Sequence, residues 1–547
     1  MRTAQVKIRP IKQNRPRITA QPKPRRPLVV FDMALKDPNV PKYKQTISGA
    51  AHCLSLTLRN SNTAGVYFME TPLVQQKDPA KFAFPKEYQA EDRQLIFALS
   101  LYDDLFKITQ AEVAAIKKAY PDAKIIIGGS CVNVSNDLRA LASFFPEATA
   151  FVKGDGEGVI TPLVQAMASN YLDTKLIEGL KGVYVREADF EYLNETTNAL
   201  TEAELNAQPG IVAYQTLIKD INKHNDLSLH TSRSCKYRCV FCSHKYHPAP
   251  IYWSAERLIQ ELKRIKEMTE KGLLPKGALN IHFSDDDFFQ DKERAIKFFQ
   301  LLTADPSLRK AFSFVFQGTV ASFYKNGELD FTLLAYLKMI RVNWLNFGTD
   351  GFHPEALAFF RKSHSLEMAL RLIFILDEMG IPQCHYCILT FPTMSIQTLT
   401  ETMFTILKIA ERPTVHFLYN LCLISHDDSD LLPSAEKLEQ KNIVISQTGQ
   451  RKILPTELPL GHEGAHKTIE SALSSPFPNR RSLRKRFTQG KPKAEKRWWR
   501  RIERSDRKLL SSKDLKIGEA LLYSKHTFIK RLAIMELAKQ LMPEIVV

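Results

Sequence analysis

The sequence predicts an α/β chain: two successive parallel sheets, then a basic, mainly helical carboxy-terminal region. Short β-rich runs alternate with amphipathic helical runs from residue 27 onward. The alternation breaks near residue 181 and restarts near 227, and beyond about 430 the chain turns polar and basic. At 547 residues the chain exceeds what a single core serves, so two or three domains are expected.

The first series opens with "PLVVFDM", "GVYFM" and "RQLIFALS" as strands, then the helix "TQAEVAAIKKAY" and the strand "AKIIIGG". It closes with "ATAFVKGDGEGVITPLVQAM", a strand running through a glycine-rich turn into a helix. This is the pattern of a Rossmann-like parallel sheet, whose ligands bind beyond the carboxyl ends of the strands. Gly128-Gly129-Ser130 and Gly154-Asp155-Gly156-Glu157-Gly158 both lie at such ends. The second series gives six βα units: strands at "LSLHTS", "ALNIHF", "FSFVFQGTV", "VNWLNFGTDG", "QCHYCIL" and "TVHFLYN", with helices between them. Six such units in series make a partial (β/α)6 barrel with its chemistry at the strand carboxyl ends. The boundaries read as a disordered basic arm over 1–26, a first domain over 27–175 and a linker with a small hairpin over 176–226. The barrel follows over 227–430, and a basic helical region over 431–547.

Composition is that of a soluble globular protein, with 44% hydrophobic and 25% charged residues. No apolar run reaches bilayer length. The amino terminus is basic and proline-rich without an apolar core, unlike a secretory signal, so a cytoplasmic protein with reduced cysteines is expected. The formal charge of +17 is concentrated in that arm and in a run from Arg480 to Lys508 that carries three acidic residues. Such runs either are solvated faces or engage nucleic acid or anionic lipid.

The densest chemical signal is "TSRSCKYRCVFCSH", which spends three of the chain's eight cysteines, Cys235, Cys239 and Cys242, on eight residues. Three thiolates are one short of a closed zinc site or a saturated four-iron cluster. His244 or His247 would complete a zinc set. A cluster held by the trio alone leaves one iron open, the condition catalysis needs. Cys384 and Cys387 lie three apart in a predicted strand, so they point to opposite faces and make poor joint ligands.

The loop resembles the signature of the radical S-adenosylmethionine (SAM) superfamily, C-x-x-x-C-x-aromatic-C after the first strand of a partial barrel. That resemblance implies a [4Fe-4S] cluster on Cys235, Cys239 and Cys242, with SAM chelating the fourth iron and Phe241 packing beside it. One electron from the cluster would then yield a 5′-deoxyadenosyl radical. "HFSDDDFF" is similar to the family's second-strand motif, which implies SAM contacts from Asp285 and Asp286. "FGTDG" aligns with its fourth-strand motif and implies contacts from Gly348, Thr349 and Asp350, with Asp350 standing where the family commonly has glutamate.

The amino-terminal series resembles the cobalamin-binding domains fused to such barrels. The implied cradle for the cofactor's nucleotide tail is Gly128, Gly129, Ser130, Gly154, Asp155, Gly156 and Glu157. The cobalt-ligating Asp-x-His-x-x-Gly loop of many cobalamin proteins is missing; His52 is the single histidine before residue 224 and does not fit that motif. The combination implies a cobalamin-dependent C-methyltransferase acting on an unactivated carbon of a small molecule or peptide. The alternatives are a rearrangement or cyclisation enzyme with the same cofactors, and an RNA-modifying protein whose basic tail engages phosphates. The chemistry also implies a low-potential electron donor such as flavodoxin or ferredoxin.

Overall fold

The structure, a computed structural model, describes residues 27–32, 65–69, 93–101, 106–208, 226–242 and 249–420, apart from short breaks. It also describes scattered positions elsewhere and three short strands between 423 and 453. The basic arm, His52, Cys53, His244, His247 and almost all of 431–547 lie outside the described residues.

The first sheet has seven strands. The first five, β1 (Leu28–Asp32), β2 (Gly65–Met69), β3 (Leu95–Ser100), β4 (Lys124–Gly128) and β5 (Ala150–Val152), pair in parallel in the order β2-β1-β3-β4-β5. Period-two alternation sends successive residues to opposite faces. Leu28, Val30, Phe97, Ile125 and Ile127 enter one buried cluster, while Val29, Phe31, Ile96 and Ile126 enter the other. Both faces are covered, which is why these strands read as continuous apolar runs. The strand order reverses between β1 and β3, so the ligand crevice of such a sheet opens at their carboxyl ends.

The hairpin expected within the span read as a linker joins the first sheet. Val183, Tyr184 and Val185 are all buried and need cover on both faces. They form β6 (Val183–Glu187), which pairs antiparallel with β5 and with β7 (Phe190–Asn194), extending the first sheet. Beyond it, the helix Glu202–Ala207 is held by a capping box between Thr201 and Glu204. Its Leu205 carbonyl accepts the Trp253 indole N–H at 3.0 Å. The connection is therefore structured and docked against the barrel as far as residue 208.

The second sheet is β8 (Asp226–Leu229), β11 (Leu279–Phe283), β12 (Phe312–Gly318), β15 (Val342–Asp350), β16 (Gln383–Ile388) and β17 (Val415–Asn420), all parallel and in sequential order. β8 and β17 stand at opposite edges of the sheet, so the barrel is open. Two short hairpins decorate it: β9 (Ser232–Arg233) with β10 (Ile251–Tyr252), and β13 (Tyr324–Lys325) with β14 (Glu328–Leu329). Outer helices start on side-chain caps, including Ser254, Asp291, Asp330 and Ser365, each accepting a backbone N–H of the first turn. Between sheet and helices, Phe283, Phe288, Phe298, Phe299, Phe314 and Phe316 form one aromatic cluster, with Phe283 and Phe288 centroids 4.8 Å apart. No helix among the described residues is long and apolar enough to cross a membrane.

Candidate active site

The cysteine loop leaves the carboxyl end of β8 and is closed at its base by the β9–β10 hairpin, which pairs Arg233 with Ile251 and Ser232 with Tyr252. A buried network fixes that base. The Thr231 N–H and hydroxyl donate to the two oxygens of Asp285, each at 2.6 Å. Arg294 donates to the Thr231 hydroxyl at 2.6 Å and to the Trp253 carbonyl at 2.8 Å. Asp285 is fully buried, and protein donors use both its oxygens. The carboxylate turns inward and holds the base of the loop, since a buried carboxylate takes nearby N–H and O–H donors. Asp286, next to it in the chain, is half-buried.

Further along, Ser234 adopts a positive φ of 65°, which turns the chain into the thiol-bearing segment. Its carbonyl accepts from the Gln290 amide at 3.1 Å, and Gln290 in turn accepts the Lys236 N–H at 2.8 Å. The Cys242 N–H donates to the Cys239 carbonyl at 3.2 Å, closing a tight turn. None of Cys235, Cys239 and Cys242 is in a disulfide, and all three are half-buried. Among the described residues no three His, Cys, Asp or Glu side chains converge as the ligands of one ion would. Three thiol-bearing residues on one short loop are the ligand type that iron–sulfur clusters take. Burial pushes the Cys235 thiol up to about 12; without a metal it stays protonated.

Phe241 meets Phe360 edge-on at 5.6 Å between centroids. Lys362, which the sequence reading missed, lies 5.9 Å from the Phe241 ring centre. Its ammonium is buried, 2.7 Å from Asp350 Oδ2 and 3.5 Å from Cys239 Sγ. Burial alone would lower its pKa, but Asp350 and Cys239 outweigh that and raise it, so it is a fixed positive charge at the thiols. Asp350 itself sits at φ 59°, and its carboxylate faces Lys362.

Strand alternation separates the residues of the fourth-strand motif. A Cβ on Gly348 would lie 3.3 Å from Asp350 Oδ2 and 3.8 Å from Lys362 Nζ, which places Gly348 on the same side as the thiols. Thr349 points the other way, fully buried, with its hydroxyl 2.7 Å from His385 Nδ1. His385 Nε2 meets Gln383 Oε1 at 2.9 Å, and the Gln383 amide donates to the Ile373 carbonyl in the outer helix Leu366–Glu378. The Thr349 hydroxyl thus ties the sheet to the helix layer through His385 and Gln383.

The His385 ring is held neutral by burial, its pKa lowered to about 3. Since this lies below the unfolded value of about 6.5, its stabilising contribution is present above pH 6.5 and is lost as pH falls toward 3. Between pH 7.5 and pH 5 the wild type is expected to lose about 2 kcal/mol more than His385→Gln, by comparison of urea midpoints. Equal losses would contradict the assignment.

A second buried acid escaped the sequence reading. Asp287 accepts from the Ser322 hydroxyl at 2.6 Å and the Thr319 hydroxyl at 2.9 Å, with burial pushing its carboxyl up to about 6. Ser322 also meets the Tyr237 hydroxyl at 3.0 Å, tying the cysteine loop to the turn after β12.

On the first domain, Gly128-Gly129-Ser130 and Gly154–Gly158 stand at the carboxyl ends of β4 and β5. The glycines are required by the protein's own packing. A Cβ on Gly129 (φ 105°) would come within 2.8 Å of the Leu101 carbonyl oxygen, and one on Gly154 (φ 97°) within 1.9 Å of the Asn198 carbonyl oxygen. The Asn133 side chain accepts the Gly154 N–H at 2.8 Å, and the Asn198 amide donates to the Asp155 carbonyl, so the two glycine loops are lashed together. Asp155 and Glu157 do not face open space; both close on Arg233 of the cysteine loop. Polar capacity is nevertheless left at this end: the helix Ile160–Met167 begins without a side-chain cap, and the buried Thr161 hydroxyl has no partner. An uncapped helix start with an orphan hydroxyl fits the polar tail of a large cofactor.

The fold and its loops therefore define a two-sheet α/β protein whose thiol loop and second glycine loop are joined by the ion pairs of Arg233. Residues 229–406 match the Radical SAM superfamily, and the chain carries a radical SAM domain over that segment. The chain is 25% identical over 316 residues to an uncharacterized methyltransferase, PH0819, of Pyrococcus horikoshii; the match takes in 55% of this chain and 63% of that protein. Among solved structures it is similar to TsrM of Kitasatospora setae, a radical SAM methyltransferase with tryptophan and a SAM analogue bound. That match has 16% identity and a TM-score of 0.59, and covers 75% of this chain and 76% of TsrM. It is similar also to OxsB, a cobalamin-dependent SAM radical enzyme with aqua-cobalamin and SAM bound, at 14% identity and TM-score 0.60, over 95% of this chain and 79% of OxsB. The fold is that of these cobalamin-dependent radical SAM proteins.

Proposed function

We propose that this chain is a cobalamin-dependent radical SAM enzyme that methylates an unactivated carbon of a small molecule or peptide. When bound, the cluster and SAM supply a carbon-centred radical and cobalamin supplies the methyl group. In this reading Cys235, Cys239 and Cys242 hold the [4Fe-4S] cluster and leave one iron to SAM. Phe241, Asp286, Gly348 and Asp350 line the SAM side of the barrel mouth. Lys362 keeps Asp350 oriented and places positive charge beside the Cys239 thiolate. The loops Gly128–Ser130 and Gly154–Glu157, with Thr161, border the cofactor's nucleotide tail; the Gly154 and Asp155 N–H groups are already taken by Asn133 and Asn198, and the Asp155 and Glu157 side chains serve the junction with the barrel.

The observation that carries the reading is that junction. Arg233 of the thiol loop pairs with both acids of the glycine loop, so the two candidate cofactor loops are held in direct contact. The matches to PH0819, TsrM and OxsB support it. A low-potential flavodoxin or ferredoxin is the expected electron donor. Anaerobic purification with cobalamin supplied is expected to give about four irons per chain together with a corrinoid absorbance band. Iron without corrinoid removes methyl transfer from cobalt.

A further inference from the structure

Arg233 lies two residues before Cys235, on the strand that closes the thiol loop. Its Nε is 3.3 Å from Asp155 Oδ1 and its Nη2 is 2.8 Å from Glu157 Oε1. The three side chains are 8%, 2% and 6% exposed, respectively. The other Asp155 oxygen accepts the Leu200 N–H at 2.8 Å, and Arg233 Nη1 donates to the Ser232 carbonyl at 3.1 Å. One guanidinium thus bridges two buried carboxylates of the first sheet's glycine loop, 78 and 76 positions away in sequence. Without it two buried carboxylates would stand close together with no cation between them, a far costlier state than the pairing. Both loops must therefore hold the geometry that lets the fork reach both acids.

We infer that Arg233 is a positioning residue that couples the two cofactor sites, so that filling the cysteine loop tightens binding at the glycine loop and the reverse. The inference rests on the function proposed above. A cluster on Cys235, Cys239 and Cys242 fixes the loop that carries Arg233. Arg233 then fixes Asp155 and Glu157, and the glycine loop no longer has to be ordered by its own ligand. By linkage the factor is the same in both directions.

The test is equilibrium dialysis of full-length protein against hydroxocobalamin under anaerobic conditions, with bound cobalt counted in cluster-free and cluster-reconstituted samples. Wild type is expected to bind on the order of tenfold more tightly when the cluster is present. In Arg233→Met the ratio of the two affinities falls to about one. In Arg233→Lys, which keeps the charge but loses the fork, the ratio falls between these values; this variant carries the test if the methionine chain does not fold. A residue that merely supported the fold would weaken both states and leave the ratio unchanged. A wild-type ratio of one, or an unaltered ratio in both variants, overturns the inference while the proposed function stands. Failure of wild type to bind cobalamin in either state overturns both.

Discussion

Replacing Cys235, Cys239 or Cys242 with serine eliminates iron retention and SAM cleavage together. The expectation follows from the arithmetic of the loop: three thiolates are the full protein ligand set, so losing any one leaves two irons of the cubane without a protein ligand. A serine hydroxyl is a hard and weakly acidic substitute for a thiolate. Iron per chain is expected to fall from about four to below one after anaerobic reconstitution. 5′-Deoxyadenosine production should fall below detection. The melting temperature of the cluster-free protein should stay at the wild-type value, because the cysteines are half-buried in a loop fixed by other residues. Cys384→Ser and Cys387→Ser are the controls; both side chains lie within β16 and are buried, so they should change stability and leave iron content intact.

Asp285→Asn gives the second large effect, and it separates two roles. If Asp285 contacted SAM, the substitution would weaken SAM binding and leave stability alone. The structure gives it an anchoring job, since both its oxygens hold Thr231 and it lies 3.5 Å from the buried Arg294 guanidinium. The amide nitrogen of Asn would face a hydroxyl and a guanidinium that both donate, and Arg294 would lose its charge partner in the interior. Breaking a buried pair from one side costs about 3–5 kcal/mol. A lower thermal midpoint and reduced iron occupancy are therefore expected, because the base of the cysteine loop loosens. Adding Arg294→Met to Asp285→Asn removes the orphaned charge and should recover part of the stability. Wild-type melting with a selective loss of SAM affinity would return Asp285 to the ligand.

Much of this architecture was legible in the sequence, for identifiable reasons. The strands β1, β3 and β4 are apolar on both faces, so their composition alone marks them as interior parallel strands. The cysteine loop could be read because spacing within eight residues is local information. Thr349 could have been assigned to the outer face by counting: it lies two residues from Phe347, a core residue of the same strand, and period two puts both on one face. The β6–β7 hairpin was visible as a hairpin, but its place in the sheet was not, since pairing with β5 depends on which edge is free. What no local pattern could show were contacts spanning long separations. Arg233 reads as an ordinary basic residue until Asp155 and Glu157 come against it. Lys362 reads as a helix-end cation until the fold sets it beside Cys239. Asp285 and Asp286 are adjacent acids in sequence, and only the packing decides that the first turns inward while the second is half-buried.

The central claim is that the trio of thiolates leaves one iron vertex for SAM to occupy. Electron paramagnetic resonance of the reduced, anaerobically reconstituted protein, recorded with and without SAM, tests it most directly. The account predicts a [4Fe-4S]+ signal whose g-values shift on adding SAM, and no such signal in Cys239→Ser. A signal unchanged by saturating SAM, or a stoichiometric zinc content in place of iron, would contradict it.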